Sequence, residues 1–221
     1  KHMNHSLERK FVSKLLSEIK SLGIEGIVFK GGGEGTLHPA YAEILEETKN
    51  LGFEIGIVTN GSKLGDLYEP IVRNASYVRV SIDGPTSQTH KVVHKSNDFN
   101  EIIAWTRNFI QSRDKLGQRH PIIGLSFAMD HSLMGLVEEA IRLGDNLGVD
   151  YTFFRPPFFE EVGRENTLTF EQKRELLAAF EEGKRNYNGK MKIFIDYWIS
   201  DSEAEHFASI GESPRRGKYI Q

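Results

Sequence analysis

The sequence contains no cysteine among its 221 residues, which excludes disulfide bonds and thiolate metal sites within these residues. No stretch approaches the roughly 20 apolar residues of a membrane span, and no basic-then-apolar start marks a secretory signal. Basic residues are not in excess either, since 28 Lys and Arg stand against 31 Asp and Glu. We therefore expect a cytoplasmic protein without a membrane anchor or a duplex nucleic-acid partner.

The residues that are present indicate a packed α/β fold. Hydrophobic residues make up 38% of the chain and charged residues 27%, which is enough for a core with a hydrated surface. Short β-rich runs alternate with helical patterns, and this alternation predicts a mostly parallel sheet, open or closed into a barrel, in one compact domain. The predicted strands cover residues 26–30, 53–60, 77–84, 122–130, 151–157 and 192–198.

Helix boundaries are predicted from apolar spacing and from capping residues. The first helix is expected to begin after Ser6 and to end at Gly23, with a buried face formed by Leu7, Phe11, Leu15, Ile19 and Leu22. Two capping boxes are expected at later helices, one formed by Asp98 with Glu101 and one by Thr169 with Gln172.

Polar groups beside glycine or proline follow most of the predicted strands. In parallel α/β folds, binding sites gather at the carboxyl ends of the strands. The first three strands are followed by "GGGEGT", "TNGS" and "SIDGPT", the fourth carries Ser126, and the fifth ends in "RPP". These segments indicate a ligand-binding rim, although βα loops need turn residues in any case.

The segment "GGGEGT" fits neither of the common phosphate-binding loops. The dinucleotide fingerprint fails because Thr36 or His38 occupies its last glycine position, and no Lys-Ser/Thr pair follows as in a Walker A loop. Glu34 at its centre would also repel a phosphate. A carboxylate among glycines instead suits a cationic group such as an ammonium, because glycine lets the backbone approach closely.

The strand-end segments together resemble the radical S-adenosylmethionine (SAM) enzymes. "FKGGGEGTLHP" resembles the GGE motif that follows the second strand of their partial (β/α)6 barrel, although Gly35 stands where proline is common. "IVTNGS" resembles the third-strand end, "VRVSIDGPTSQTHKVVHKSNDFNEII" the fourth strand and its helix, and "YTFFRPP" the sixth strand. The resemblance covers residues 24–157 in the family's order.

This resemblance implies a fold and a set of binding residues. The fold is a partial (β/α)6 TIM-like barrel of parallel strands over residues 1–199, followed by a tail, residues 200–221, that leads toward a SPASM-type or twitch-type auxiliary-cluster region. Glu34 is expected to bind the SAM amino group, while Ser81 and Asp83 contact its ribose or carboxylate. The implied cofactor-binding residues are Gly32, Gly33, Glu34, Thr59, Asn60, Ser81, Asp83, Ser126 and Arg155.

The resemblance also implies the chemistry. In this family a [4Fe-4S] cluster reductively cleaves SAM to a 5′-deoxyadenosyl radical, which abstracts hydrogen from a substrate carbon. The cluster cysteines, spaced CxxxCxxC, are expected upstream of Lys1, together with the first strand. The implied partners are a small-molecule or peptide substrate and an external electron donor such as flavodoxin or ferredoxin. No catalytic acid or base is assigned.

Two other functions remain open from the sequence. A cluster-free barrel would bind SAM, another small ligand or a partner, and a TIM-like lyase would use Lys30 as a Schiff-base residue. Several further side chains have a structural and a functional interpretation. His90 and His94 are a metal pair or a structural pair at the rim. The others, for which surface or core positions are expected, are His2, His5, Phe153, Phe154, Phe158, Phe159, Glu160, Glu161, Tyr197 and Trp198.

Overall fold

The computed structural model describes residues 6–31, 33–62, 64–155, 157 and 168–196. Its six strands form one sheet in sequence order, in which β1–β2, β2–β3 and β5–β6 pair in parallel. The α/β class is thereby confirmed, and the arrangement is consistent with a partial TIM-like barrel. The strands are β1 (Gly26–Phe29), β2 (Glu54–Thr59), β3 (Tyr77–Ser81), β4 (Ile122–Ala128), β5 (Tyr151–Arg155) and β6 (Lys192–Ile195).

Helices connect successive strands, as parallel pairing requires. Among the described residues, no helix combines the length and hydropathy that a membrane crossing needs. The helices are α1 (Arg9–Ser21), α2 (Tyr41–Asn50), α3 (Tyr68–Asn74), α4 (Ser87–His94), α5 (Phe99–Lys115), α6 (Val137–Leu147) and α7 (Phe170–Asn186).

The chain divides into two compact units. The first comprises Lys1–Ser81 and Asp98–Gly124, and the second comprises Ile82–Asn97 and Leu125–Gln221. The first unit therefore contains β1 to β3 with α1, α2, α3 and α5. The second contains α4, most of β4, and β5 and β6 with α6 and α7. The predicted boundary between residues 199 and 200 lies outside the described residues.

The predicted buried face of the first helix is wrong. Leu7, Phe11 and Leu22 are 58%, 53% and 77% exposed, and Leu15 is also exposed. The buried residues are Val12 and Leu16, which pack with Ile44 of α2 against β1. The helix carries two adjacent apolar stripes, and spacing alone does not show which of them faces the sheet.

Three local predictions also need correction. The first helix begins at Arg9 with Glu8 as its N-cap rather than Ser6, and the Asp98 side chain makes no cap hydrogen bond at α5. The third strand ends at Ser81 instead of residue 84, because the chain turns sharply at Asp83. The capping box of Thr169 and Gln172 at α7 is confirmed.

Three aromatic side chains pack together in the core of the second unit. Phe154 of β5 lies between Phe127 of β4 and Phe180 of α7, with ring centroids 5.3 Å and 5.1 Å away, and all three side chains are fully buried. Each such side chain contributes roughly 1.5–3 kcal/mol through burial alone. The stack attaches α7 to the sheet and confirms the core position expected for Phe154.

Candidate functional site

The Glu34 carboxylate lies just beyond the carboxyl end of β1 and is held by its neighbours. Glu34 is the N-cap of a short 3-10 turn, Gly35–Leu37. Its Oε1 accepts hydrogen bonds from the Thr36 amide at 3.2 Å and from Thr36 Oγ1 at 2.7 Å. The carboxylate thus closes its own turn, which satisfies an amide that would otherwise have no partner at a helix start.

The end of β2 binds the same carboxylate. Thr59 Oγ1 donates to Glu34 Oε1 at 2.8 Å, and the backbone amide of Asn60 donates to Oε2 at 2.8 Å. Gly61, at φ +75°, lets the chain turn away directly afterwards, and its amide donates to Thr59 Oγ1 at 3.1 Å. Glu34 therefore joins the carboxyl ends of two neighbouring strands within the first unit.

The two oxygens of Glu34 are used unequally. Oε1 accepts three hydrogen bonds, whereas Oε2 accepts one. An ionised carboxylate offers about four lone-pair positions, two on each oxygen. The remaining capacity is therefore on Oε2, and Glu34 is only partly buried, so a donor from a ligand can approach it.

Tyr41 at the start of α2 is buried near this carboxylate. Burial raises the pKa of the Tyr41 phenol well above its ordinary value, and the negative charge of Glu34 raises this pKa further. Tyr41 therefore stays neutral, and its ring packs edge-on against Phe29 with centroids 5.9 Å apart. The surface that Tyr41 contributes beside the Glu34 carboxylate is consequently uncharged.

In the second unit, Asp83 forms a tight turn immediately after β3. Its φ of +51° lies in the left-handed region, which residues other than glycine rarely adopt. The Gly84 amide donates to the Ile82 carbonyl at 2.7 Å and closes a three-residue turn. The Ile82 and Asp83 amides both donate to the Ser126 carbonyl, at 3.0 Å and 3.3 Å, so β4 holds the turn.

Both oxygens of Asp83 are engaged inside the protein. Oδ1 accepts from the Ala128 amide at 2.6 Å, and Oδ2 lies 3.0 Å from Nε2 of His94. His94 stacks on His90 with ring centroids 4.5 Å apart, and His90 Nδ1 lies 2.8 Å from the Ile82 carbonyl. The two histidines share a face of α4 as a structural pair. In the described part of the chain, no group of three or more His, Asp or Glu residues is arranged to hold a metal ion.

The other predicted site residues are placed as follows. Gly33 is exposed, and a Cβ there would meet no atom within 4 Å, which leaves space beside its backbone. Ser81 ends β3 and is partly buried in the first unit, whereas Ser126 is buried on β4 in the second. Arg155 ends β5, where its carbonyl accepts from the Met129 amide at 3.1 Å. Gly32 lies outside the described residues.

Several alternative candidates are also located. Lys30 follows β1 as an exposed side chain, unlike the desolvated lysines that form Schiff bases. Phe153 is partly buried in β5. The candidates outside the described residues are His2, His5, Phe158, Phe159, Glu160, Glu161, Tyr197 and Trp198.

Sequence reasoning missed two contributors to these clusters. Thr36 supplies two of the four hydrogen bonds to Glu34, and the available signal is a carboxylate at an N-cap followed two residues later by a threonine. The contribution of His94 as a hydrogen-bond partner of Asp83 was also missed. His94 is eleven residues from Asp83, and only the turn after β3 followed by an α-helix brings the two together.

Comparison with known proteins identifies the family. The sequence profile of the Radical SAM superfamily matches residues 5–124, which is more than half of the chain. The chain belongs to the radical SAM superfamily. The matched residues include Glu34, Thr59, Asn60, Ser81 and Asp83.

Two curated relatives share part of the sequence. A tungsten-containing aldehyde ferredoxin oxidoreductase cofactor-modifying protein from Pyrococcus furiosus is 33% identical over 128 residues, which is 56% of this chain and 35% of that protein. An S-adenosylmethionine-dependent nucleotide dehydratase from Flammeovirga pacifica is 35% identical over 95 residues, which is 42% of this chain and 32% of that protein. The chain thus spans about a third of the length of these relatives. Family membership and these relatives support an enzyme.

Solved structures with low sequence identity share the fold. Streptococcus suis SuiB bound to S-adenosylmethionine superposes with a TM-score of 0.62 at 12% identity, covering 89% of this chain and 45% of SuiB. AnSMEcpe with bound AdoMet superposes with a TM-score of 0.67 at 17% identity, covering 95% of this chain and 60% of that chain. These similarities establish the fold of the radical SAM barrel for the described strands and helices.

Members of this family generally use SAM and a [4Fe-4S] cluster, and the two groups fit these residues differently. The spare acceptor on Glu34 Oε2 and the open space beside Gly33 suit the ammonium group of SAM. Thiolates are the usual ligands of iron–sulfur clusters. The 221 residues contain no cysteine, so they supply no such ligand, and we assign none of them to cluster binding.

Proposed function

We propose that this chain is the SAM-binding barrel of a radical SAM enzyme, in which Glu34 holds the amino group of SAM. The observation that carries the proposal is the Glu34 carboxylate, which Thr36, Thr59 and Asn60 orient and which keeps its free acceptor on Oε2. A charge-assisted hydrogen bond from an ammonium to a carboxylate contributes about 1.5–3 kcal/mol. Pre-orientation lowers the entropic cost of that bond.

The remaining predicted residues extend the same proposal. Thr59 and Asn60 orient the carboxylate, and Gly33 lets the ligand lie against the backbone. Ser81, Ser126 and Arg155 are proposed to contact SAM or substrate. An ionised Asp83 accepts hydrogen bonds but does not donate them. The residues after β3 are expected to contact either the ribose or the carboxylate of SAM. Asp83 therefore suits the ribose hydroxyls, since its negative charge would repel the SAM carboxylate.

When SAM and a reduced cluster are bound, they supply the radical that abstracts hydrogen from a substrate carbon. The residues of this chain contribute binding and orientation rather than the bond cleavage itself. The hydrogen-bonded segments after β1 and β2 are proposed to hold one end of the cofactor. The neutral Tyr41 adds no second negative charge beside the Glu34 carboxylate.

The substrate is proposed to be a peptide or a small molecule. SuiB has been crystallised with its precursor peptide, and anSMEcpe with AdoMet and a peptide, which supports a barrel of this fold accepting peptides. The two curated relatives act on a cofactor and on a nucleotide, as their names state.

The domain organisation, location and electron donor are also proposals. We propose that residues 1–199 form the barrel and that residues 200–221 connect it to an auxiliary-cluster region. We further propose a cytoplasmic location, with flavodoxin or ferredoxin as the electron donor.

The function is tested with full-length protein prepared anaerobically with iron and sulfide. Isothermal titration with SAM should show saturable binding. Incubation with SAM and a reductant should release 5′-deoxyadenosine, measured by chromatography. The exposed Glu46 on α2 provides a control, because Glu46→Gln should bind SAM as the unmodified protein does. The proposal fails if SAM does not bind or if reduced, iron-loaded protein releases no 5′-deoxyadenosine.

A further inference from the structure

The turn after β3 has a backbone conformation that residues other than glycine adopt infrequently. Asp83 has a φ of +51°, and such conformations persist only where the surrounding structure fixes them. Backbone bonds from Ile82 and Asp83 to Ser126 hold the turn on one side. The Asp83 carboxylate holds it on the other, through Ala128 and His94. An unusual backbone fixed from several directions at a strand end is a common feature of ligand-binding sites.

Helix α4 packs directly onto this turn. A Cβ on Gly84 would lie 2.7 Å from the His90 amide nitrogen and 2.8 Å from atoms of Thr89, so only glycine fits there. The first turn of α4 is fixed by the capping box of Thr86 and Thr89. One helical turn beyond His90, His94 stacks on the His90 ring and reaches Asp83. The helix start, the two rings and the turn therefore form one packed cluster.

The chemistry of the partners fixes where the protons lie on these histidines. A carboxylate and a backbone carbonyl only accept hydrogen bonds. His94 therefore donates through Nε2 to Asp83 Oδ2, and His90 donates through Nδ1 to the Ile82 carbonyl. The hydrogen bond from His94 fixes the position of Asp83 Oδ2. Asp83 Oδ1 then faces the Ala128 backbone amide, whose nitrogen lies 2.6 Å away.

We propose that His94 is a positioning residue for SAM binding, acting through Asp83; this inference rests on the proposed function. The hydrogen bond from Nε2 holds the Asp83 carboxylate in the orientation in which its Oδ1 accepts from the Ala128 backbone amide. Without that bond the carboxylate rotates and the left-handed turn relaxes. The residues after β3 then no longer present the acceptors that suit the ribose of SAM.

Two substitutions of similar size separate the hydrogen bond from packing. His94→Gln keeps a donor at about the position of Nε2, whereas His94→Met fills the space without one. Both variants lose the ring that stacks on His90, so their difference reports the polar hydrogen-bonding group rather than ring packing. His131, which pairs with Glu175 in the same unit, provides the matched control as His131→Met.

Two measurements are made on each variant. The first is the amide proton shift of Ala128 by NMR without ligand, which reports the hydrogen bond to Asp83. The second is the SAM dissociation constant by calorimetry. We expect His94→Met to move the Ala128 proton upfield and to weaken SAM binding about tenfold or more. His94→Gln should restore both values toward those of the unmodified protein, and His131→Met should change neither.

The outcomes separate this inference from the proposed function. If SAM binds and His94→Met and His94→Gln weaken it equally, or if neither weakens it, His94 is not a positioning residue and the proposed function is unaffected. An unchanged Ala128 shift in His94→Met overturns the inference on structural grounds. If the unmodified protein does not bind SAM, the proposed function fails. The role of His94 in ligand binding then fails with it, whatever the Ala128 proton shows.

Discussion

At the scale of single residues, Glu34 accepts hydrogen bonds from four donors, two in the turn that follows β1 and two at the end of β2. Donors face both of its oxygens, three at Oε1 and one at Oε2. Such a carboxylate has a structural role before any ligand arrives, and its replacement by an amide tests that role.

Glu34→Gln should lower the free energy of unfolding by about 1–3 kcal/mol. A glutamine has one acceptor oxygen and one donor nitrogen, so its nitrogen must face either the single donor at the Oε2 position, the Asn60 backbone amide, or the three donors at the Oε1 position, and either choice loses at least one hydrogen bond. Chemical denaturation measures the effect. Glu46→Gln, on the exposed face of α2, should stay within about 0.5 kcal/mol of the unmodified protein. Equal stability of the two variants would show that the network at Glu34 is not formed.

Glu54 at the start of β2 is a second residue whose partners make a testable difference. The Ser76 hydroxyl donates to its carboxylate and is the largest cause of a lowered pKa, to which Lys49 and His120 also contribute. A carboxyl group with a lowered folded-state pKa stabilises the fold above its unfolded pKa. That contribution is lost as the pH falls through the folded value. Because Glu54 is exposed, we expect the effect on stability to be small.

Ser76→Ala should raise the pKa of Glu54 toward its ordinary value, since the hydrogen bond that favours the ionised form is removed. An NMR titration of the Glu54 side-chain carboxyl group follows this directly. Ser21→Ala removes a hydroxyl that donates to the Glu18 carbonyl instead, and it should leave the titration unchanged. A Glu54 titration identical in all three proteins would contradict the assigned hydrogen bond.

At the scale of elements, the alternation of strands and helices is predictable from the sequence because it depends on local apolar spacing. The boundaries fail where a single residue decides them. Nothing in the alternation of "YVRVSIDG" shows that the strand ends at Ser81, since the end depends on the left-handed Asp83 and on its bonds to β4. The buried face of α1 failed for a similar reason: two apolar stripes compete, and only the sheet selects one.

Gly84→Ala should destabilise the second unit by about 1–3 kcal/mol, the typical cost of forcing extra atoms into a packed site. The added methyl group would meet backbone atoms of Thr89 and His90, which cannot move without disturbing the cap of α4. Thermal unfolding measures the loss. Gly135→Ala is the control, because a Cβ there has open space. A Gly84→Ala protein as stable as this control would mean that α4 does not pack on the turn.

At the scale of the whole molecule, the arrangement of the candidate binding residues was predictable only in part. The order of "GGGEGT", "TNGS" and "SIDG" after successive strands placed Glu34, Thr59 and Asn60 correctly at neighbouring strand ends. It did not predict how they interact. Thr59 and Asn60 appear in the structure as partners of Glu34, and Asp83 appears as the partner of Ala128 and His94. Such pairings depend on side-chain geometry across chain segments, which local patterns do not contain.

The central claim, that Glu34 binds the amino group of SAM, is tested most directly by changing both partners of that contact. SAM and its analogue with an oxo group in place of the amino group are titrated into the unmodified protein and into Glu34→Ala. Loss of the amino group should weaken binding to the unmodified protein about tenfold or more and should leave binding to Glu34→Ala nearly unchanged. An equal loss in both proteins would show that the amino group does not contact Glu34.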